Sequence, residues 1–148
     1  MQKKILITGA NGFLGSSIVK IALKKKFKVR ALVRHNSDTT NIENLNIEIV
    51  RGDLRYKQNL KQIVEGCEFF CHVAADYRLW APKPSELYET NVLGTKNLLD
   101  EIKLLKNHKL AYTSSVATLG LSTNEKVEST EETPVSFSDM IGDYKKSK

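Results

Sequence analysis

The 148-residue sequence predicts an α/β protein built on a doubly wound parallel sheet. Three observations support this. Short apolar runs alternate with helical patterns from the first residues onward. The first run, Lys4–Thr8, is continuously apolar, as is typical of a strand covered on both faces. A glycine-rich segment then joins this run to a helical pattern. The composition, 41% hydrophobic and 27% charged, is that of an ordinary globular domain and does not indicate disorder.

The first half of the chain is predicted to contain three strands. Strands are expected over Lys4–Thr8, Lys28–Val33 and residues 47–50. Between the first two, apolar residues spaced as i, i+4, i+7 and i+8 predict a helix with one buried face, formed by Leu14, Ile18, Ile21 and Ala22.

The second half continues the alternation with longer elements. A modest helix around residues 60–64 is expected to end near Gly66, and a fourth strand follows over residues 68–74. Pro82 and Pro84 precede a long predicted helix over residues 86–105, and the fifth strand is expected over residues 109–114.

Residues 121–143 are polar and acidic, which predicts an irregular excursion of the length usually found in functional loops. A helix is expected to begin at Tyr144, close to the last residue, Lys148. A parallel sheet that stops after its fifth strand leaves an apolar face without cover. We therefore expect residues 1–148 to form one incomplete domain.

Charge and cysteine usage exclude several classes of partner. The net charge of +6 and a pI near 9.3 raise the question of nucleic acid. However, Lys24, Lys25 and Lys26 cluster at a predicted helix end, where the helix dipole favours cations. These lysines are therefore expected to be solvated, and nucleic acid is not expected as a partner. The apolar start is too short for a signal peptide or membrane span, which predicts a cytoplasmic protein without a transmembrane segment. Cys67 and Cys71 predict two reduced thiols and no metal site.

The segment from Thr8 to Gly15 is the strongest motif, because it lies between a strand and a helix. Gly9 permits a tight turn, Gly12 lets the backbone approach a pyrophosphate, and Gly15 allows close packing of helix on strand. The phosphates would meet free N–H groups at the helix start. The motif therefore predicts a Rossmann-type dinucleotide site rather than a chance glycine turn, formed by Gly9, Asn11, Gly12, Phe13, Leu14 and Gly15.

The end of the second strand indicates which dinucleotide is bound. NAD sites usually place an acidic residue here to hold the ribose 2′-hydroxyl, but this sequence has Arg34 followed by His35. A guanidinium suits a 2′-phosphate by charge and by its forked donors, so NADP is predicted, with NAD as the alternative. Arg30 is a weaker second candidate, and Arg34 could also be a surface arginine without a ligand.

The glycine spacing, G-x-x-G-x-x-G, resembles that of the short-chain dehydrogenases/reductases. Two further segments, Gly52-Asp53-Leu54 and His72-Val73-Ala74-Ala75, resemble the extended members of that family. The resemblance implies that Asp53 and Leu54 lie along the adenine. It also implies that Ala74 and Ala75 let the ribose and phosphates pass close to the strand ends, although close packing alone would also explain small residues there.

Tyr144 and Lys148 have a Tyr-x-x-x-Lys spacing, which would place both side chains on one helix face. A nearby ammonium lowers the pKa of a phenol by stabilising the phenolate, and this suits a tyrosine that exchanges protons with substrate. The family resemblance implies that Ser115 is the catalytic serine, with Ser114 as the alternative, and that Asn91 is the helix asparagine near the active site. It also implies that Tyr144 and Lys148 take part in cofactor binding, with Lys148 at the nicotinamide ribose.

Residues 74–82, 112–121 and 139–144 resemble the hopanoid-associated sugar epimerases, relatives of the dihydroflavonol 4-reductases. This resemblance implies an NADP-linked epimerase or reductase of a small sugar-like or polyketide-like compound, whose C-terminal substrate region is absent here. Tyr77, Arg78 and Trp80 are candidates to line the nicotinamide or substrate, unless Trp80 anchors a surface loop in the core. A non-catalytic dinucleotide-binding domain is the alternative function. The helix over residues 86–105 is a candidate homodimer contact.

Overall fold

The structure, a computed structural model, describes residues 2–122 and 127–148 and confirms the predicted fold class. Five parallel strands form one sheet in the order β3-β2-β1-β4-β5. The strands are β1 (Lys4–Thr8), β2 (Lys28–Val33), β3 (Glu48–Arg51), β4 (Phe69–His72) and β5 (Lys109–Tyr112). The helices are α1 (Phe13–Lys24), α2 (Leu60–Val64), α3 (Ser85–Tyr88), α4 (Gly94–Ile102) and α5 (Asp143–Lys146).

Two apolar layers cover the central strands, one on each face. Alternate residues of β1 point to opposite layers, so Leu6 packs with α2 and α4 while Ile5 and Ile7 pack with α1. The last four residues of β1 and the last three of β2 are buried, as is typical of central parallel strands, and both strands have the predicted bounds. The strand order reverses between β1 and β4, the point where doubly wound sheets open a crevice at their carboxyl ends.

The predicted buried face of α1 is partly wrong. Leu14 and Ile21 are 45% and 52% exposed, whereas the buried residues are Gly15, Ser16, Val19 and Ala22. Small side chains allow the helix axis to approach the sheet closely, so the contact face follows the small residues and the larger apolar residues lie beside it. Of the four residues predicted to form the buried face, Ala22 is buried and Ile18 is partly buried.

The strands β4 and β5 end earlier than predicted, at His72 and Tyr112. At β4 the reason is a change of hydrogen-bond partner, since the amides of Val73 and Ala74 both donate to the Thr8 hydroxyl at 3.1 Å. Every residue of β5 is exposed, and this strand forms one edge of the sheet.

The long helix predicted over residues 86–105 is present but has three segments. A π-helical turn, Glu89–Leu93, separates α3 from α4, and α4 ends at Ile102. The predicted excursion over residues 121–143 contains a short 3₁₀ turn, Phe137–Asp139; residues 123–126 of it lie outside the described part of the chain. Among residues 2–122 and 127–148, no helix has the length and hydropathy to cross a bilayer.

Candidate functional site

The glycine turn between β1 and α1 is built by close backbone contacts. Gly9 has a φ of +63°, and a Cβ there would lie 2.9 Å from the Ala74 backbone. A Cβ on Gly15 would overlap the carbonyl group of Gly9, with only 2.8 Å to the carbonyl carbon. The Gly12 amide closes the turn by donating to the Gly9 carbonyl at 3.0 Å. Gly9 and Gly15 therefore exclude side chains for steric reasons, as predicted for the tight turn and for the packing of helix on strand.

The start of α1 has the features of an anion site. Gly12 is its N-terminal cap residue, and no side chain caps this helix end. The first-turn amides, which have no partner within a helix, are consequently available to a phosphate. Phe13 is 96% exposed and Leu14 about half exposed, so these two residues would contribute backbone amides rather than a packed side chain.

Asn11 connects the glycine turn to the loop after β2. Its side-chain amide donates to the backbone carbonyl of Asp38 at 2.8 Å, and its backbone carbonyl accepts from the Asn41 side chain at 2.7 Å. The two predicted parts of the dinucleotide site, the glycine turn and the β2 end, are thus held together by side chains.

Arg34 lies at the end of β2 and is exposed. The loop that begins with it is held by Arg51, whose Nη1 donates to the carbonyl oxygens of His35 at 2.7 Å, Arg34 at 3.2 Å and Ser37 at 3.4 Å. Arg51 thus fixes the backbone of this loop and leaves the Arg34 guanidinium in solvent. Sequence reasoning missed Arg51 because its partners are carbonyl groups, which carry no sequence signal.

The guanidinium of Arg30, the weaker candidate for binding the 2′-phosphate, is already bound by backbone carbonyl groups. Its Nη1 donates to the carbonyls of Gln62, Ile63 and Glu65, at 3.1, 2.7 and 2.9 Å. These oxygens belong to the end of α2, where a cation also favours the helix dipole. The guanidinium therefore serves a structural purpose.

Asp53 and Leu54 follow β3 at the same edge of the sheet. The Arg55 guanidinium binds both carboxylate oxygens of Asp53 and holds the pKa of that carboxyl below its usual range; the charge of Arg34 makes a smaller contribution. Leu54 is buried, and its carbonyl accepts from the Asn97 side chain at 2.9 Å. Asp53, one of the two residues predicted to lie along the adenine, is thus a carboxylate already paired with an arginine.

His72, at the end of β4, joins three parts of the site and was not assigned a role from sequence. Its Nδ1 lies 2.7 Å from the Thr8 hydroxyl, and its Nε2 lies 2.8 Å from the Thr95 hydroxyl of α4. The Thr8 oxygen also accepts from the amides of Val73 and Ala74. A histidine within an apolar parallel strand must be hydrogen-bonded, and this is the signal that could have identified it.

This network fixes the tautomer of His72. Because both lone pairs of the Thr8 oxygen accept amide protons, its own proton must go to Nδ1 of the imidazole. Nε2 then carries the ring proton and donates it to Thr95. Burial, with the nearby charge of Lys148, lowers the pKa of His72 to about 4, so the ring is neutral at physiological pH.

We expect His72 to make the folded chain sensitive to mild acid. The unfolded histidine binds a proton below about pH 6.5, whereas the folded one resists protonation until about pH 4. The neutral His72 ring therefore stabilises the fold fully above about pH 6.5. The free energy of unfolding should fall by about 3 kcal/mol as the pH decreases from there to about 4. Urea unfolding at a series of pH values measures the loss. His72→Asn, which cannot titrate here, should be less stable at neutral pH but show a shallower pH dependence; an unchanged slope would contradict the assignment.

Asn91 is buried within the π-helical turn and holds two segments. Its Oδ1 accepts from the Asp76 amide at 2.7 Å, and its Nδ2 donates to the Asp76 carbonyl at 2.8 Å and to the Ser147 hydroxyl at 2.9 Å. Tyr88 adds a hydrogen bond to Asp143, at the start of α5. The predicted asparagine therefore connects the loop after β4 to the segment that carries Tyr144.

The predicted catalytic residues lie near the carboxyl ends of β4 and β5. The Ser115 hydroxyl accepts from the Ala117 amide at 3.1 Å and caps the 3₁₀ turn Val116–Thr118. Tyr144 lies in α5, whereas Lys148 lies past its end and donates from Nζ to the Thr113 carbonyl at 2.9 Å. The same Nζ lies 4.7 Å from the centre of the Tyr112 ring. The structure thus brings Lys148 to the end of β5, beside the segment of Ser115.

The loop after β4 presents its large side chains to solvent. Tyr77 is 80% and Trp80 76% exposed, so Trp80 does not anchor the loop in the core. Arg78 is engaged in ion pairs with Asp76 at 2.6 Å and Glu86 at 2.8 Å. In the part of the chain that the structure describes, no cluster of three or more histidine, cysteine or acidic side chains could hold a metal ion.

The chain is similar to known proteins along nearly all of its length. The model of the NAD dependent epimerase/dehydratase family matches residues 5–148. A protein of Synechocystis sp., provisionally named dihydroflavonol 4-reductase, is 40% identical over all of this chain and 43% of its own length. Sterol demethylase protein B of Methylococcus capsulatus is 34% identical over 97% of this chain and 43% of its own. The crystal structure of gox2253 is 42% identical, with a TM-score of 0.89 over 99% of this chain and 44% of that one. The chain therefore spans less than half the length of these relatives.

Proposed function

Because the chain belongs to the NAD dependent epimerase/dehydratase family, of the extended short-chain dehydrogenases/reductases, we propose that it binds NADP for an epimerase or reductase reaction. The glycine turn is the observation that carries this proposal. It combines a backbone approach that excludes a Cβ at Gly9 and Gly15 with an uncapped helix end, which is the arrangement a pyrophosphate requires. Asn11, Asp53, Leu54, Ala74 and Ala75 border this turn or follow the neighbouring strands and complete the proposed cofactor site.

Arg34 supports NADP over NAD. The loop backbone is fixed by Arg51, and the exposed Arg34 guanidinium stands where NAD enzymes usually place an acid. Asp53, the acidic residue of the proposed cofactor site, is paired with Arg55, so it is a poor acceptor for a ribose hydroxyl.

Arg34→Gln is expected to weaken NADPH binding by about tenfold to a hundredfold, because a charge-assisted phosphate contact contributes about 1.5–3 kcal/mol. NADH has no 2′-phosphate, so its affinity should change little. Isothermal titration calorimetry of both nucleotides measures the ratio. Lys25→Gln removes the same charge at the opposite end of α1 and serves as the control. An equal loss of NADPH and NADH affinity would show that Arg34 acts on loop structure instead.

Four residues form the proposed catalytic group. When bound, the nicotinamide supplies the hydride-transfer chemistry of the reaction. Tyr144 exchanges the proton of a substrate hydroxyl or carbonyl, and Ser115 hydrogen-bonds the same oxygen. Lys148 brings a positive charge to the end of β5 and contacts the ribose, and Asn91 positions the segment that carries Tyr144. The carbonyl contact of Lys148 supports this role, since it holds the ammonium at the end of β5.

The proposed substrate is a small sugar-like or polyketide-like hydroxyl compound. The names of the relatives, a dihydroflavonol reductase and a sterol demethylase component, favour ring compounds. A non-catalytic dinucleotide-binding domain, the alternative drawn from the sequence, is the second candidate function. It would bind NADPH without oxidising it.

We also propose a homodimer through the π turn and α4. The exposed apolar residues Val92, Leu93 and Leu99 support it.

A further inference from the structure

The hydroxyl oxygen of Thr8 lies where the sheet meets the glycine turn. Thr8 is the last residue of β1, stands directly before Gly9 and is 1% exposed. Its oxygen accepts from the amides of Val73 and Ala74, both at 3.1 Å, so these two residues bind a side chain where a strand would bind a neighbouring backbone. One buried oxygen atom therefore sets the path of the chain as it leaves β4.

The Gly9 turn rests on the backbone that this oxygen holds. A Cβ on Gly9 would lie 2.9 Å from both the Cα and the amide nitrogen of Ala74. The contact joins two backbones, and neither can move aside by a change of rotamer. The Gly9 carbonyl in turn accepts from the Gly12 amide at 3.0 Å. A displacement of Ala74 would therefore pass through Gly9 to the start of α1, where the pyrophosphate is proposed to bind.

His72 determines how the Thr8 hydroxyl is oriented. Because amides use both lone pairs of the Thr8 oxygen, the hydroxyl donates its own proton, and Nδ1 of His72 lies 2.7 Å away. An imidazole with its proton on Nδ1 would leave a buried donor without an acceptor at this point. The Thr8 rotamer, and through it the position of Ala74, thus depends on Nδ1 as an acceptor.

The His72 ring is itself fixed on two sides. Its Nε2 lies 2.8 Å from the Thr95 hydroxyl of α4, and its plane is tilted by 32° against the Tyr112 ring at a centroid distance of 5.4 Å. Lys148 Nζ lies 4.7 Å from the centre of the same Tyr112 ring. The imidazole therefore has little freedom to turn away from Thr8, and it connects the glycine turn to the segment of the proposed catalytic lysine.

We infer that His72 is a positioning residue of the dinucleotide site. Through the Thr8 hydroxyl it holds Ala74 against Gly9, and it thereby determines the affinity for the pyrophosphate that NADP and NAD share. His72 and Thr8 are each 1% exposed, so both act from beneath the site and not by touching the nucleotide. This role rests on the proposed function, because it requires the glycine turn to bind a pyrophosphate.

Two substitutions of His72 separate its two hydrogen bonds. Asparagine places an amide oxygen where Nδ1 stands, whereas glutamine reaches the position of Nε2 and leaves no acceptor at Nδ1. His72→Gln should weaken the binding of NADPH and of NADH by the same factor, about tenfold or more, because the Thr8 hydroxyl loses its acceptor. His72→Asn should keep both affinities within about threefold of the unsubstituted chain. Isothermal titration calorimetry measures the dissociation constants. The equal effect on both nucleotides distinguishes His72 from Arg34, whose substitution is expected to affect NADPH alone.

Thr8→Val tests whether His72 acts through this hydroxyl. It removes the oxygen but keeps the shape of the side chain, and it should weaken the binding of both nucleotides as His72→Gln does. Adding His72→Gln to Thr8→Val should cause no further loss, since the group through which His72 acts is already absent. Val64→Ala is the control. It removes apolar contacts at the end of α2, where Val64 is 2% exposed, and should lower resistance to urea without changing NADPH affinity.

A measurement on the unsubstituted chain does not depend on how the variants fold. ¹⁵N NMR of the histidine rings should show His72 as the neutral tautomer with its proton on Nε2, and its Nδ1 resonance should move as NADPH saturates the site. Nδ1 of His108, which lies 3.0 Å from the Leu105 carbonyl, should not move. A proton on Nδ1 of His72 would overturn the positioning role.

The outcomes separate this role from the proposed function. If the unsubstituted chain binds NADPH and His72→Gln binds it as tightly, or if the glutamine and asparagine variants are weakened equally, the positioning role is overturned and the dinucleotide proposal stands. If the double variant loses affinity by the product of the two single losses, His72 acts independently of Thr8, which also overturns the role. If the folded, unsubstituted chain binds neither nucleotide, the proposed function fails and the positioning role fails with it.

Discussion

Gly15→Ala is expected to abolish dinucleotide binding and to lower the free energy of unfolding by about 3 kcal/mol or more. The added methyl group would overlap the Gly9 carbonyl and lie 3.0 Å from the Ala10 Cα, and both neighbours are backbone atoms that cannot rotate away. The glycine turn would have to separate from α1, and the first-turn amides would no longer point to a common phosphate. Urea denaturation and NADPH calorimetry measure the two effects.

Gly66→Ala is the matched control for this substitution. Gly66 has a φ of +72°, but a Cβ there would have no heavy atom within 4 Å. The cost should be only that of a left-handed alanine, about 1–2 kcal/mol, and NADPH affinity should be unchanged. Equal effects of the two alanines would contradict the role of helix-to-turn packing at Gly15.

Tyr144→Phe is expected to reduce NADPH oxidation with a ketone substrate by about 10²- to 10⁴-fold, the usual contribution of a positioned general acid. NADPH affinity should change by only about a few fold, because phenylalanine keeps the ring beside the cofactor and loses only the hydroxyl that exchanges protons with substrate. Loss of NADPH fluorescence follows turnover, and calorimetry follows binding.

Tyr88→Phe removes a phenol oxygen from the same neighbourhood and provides the comparison. It breaks the 3.2 Å hydrogen bond to Asp143, which should cost about 1 kcal/mol of stability and leave turnover within a few fold. Retained activity in Tyr144→Phe would remove the proton-exchange role from this residue and leave the rest of the dinucleotide proposal intact.

The parts of the fold that local sequence determines were predicted well. β1 and β2 have the predicted bounds because central parallel strands are rich in buried apolar residues and are therefore recognisable. The glycine turn was predicted because steric exclusion at Gly9 and Gly15 requires a residue without a side chain.

Features that depend on distant partners were predicted poorly. β4 ends two residues early because the amides of Val73 and Ala74 bind the Thr8 side chain, which is far away in the sequence. The face of α1 was misjudged because periodicity locates the large apolar residues, whereas close packing on the sheet selects small ones such as Gly15. The π-helical turn has no periodic signature of its own.

The same distinction, between local sequence and distant partners, applies to the candidate site. Sequence located Asn91, Ser115 and Lys148, and the structure connects or positions each of them near the carboxyl ends of β4 and β5. Their chemical roles remain predictions. The residues that support the site, His72 and Arg51, act through hydroxyl and carbonyl groups whose positions only the folded chain defines.

The exposed edge at β5 has a practical consequence for handling the chain. Its outer side offers a short row of amide and carbonyl groups with no neighbouring strand among the described residues. Such an edge can template the addition of another extended segment, from a second molecule or from an added peptide. Lys109 and the short length of the strand work against uncontrolled stacking, so solubility at high concentration should depend on retaining that lysine.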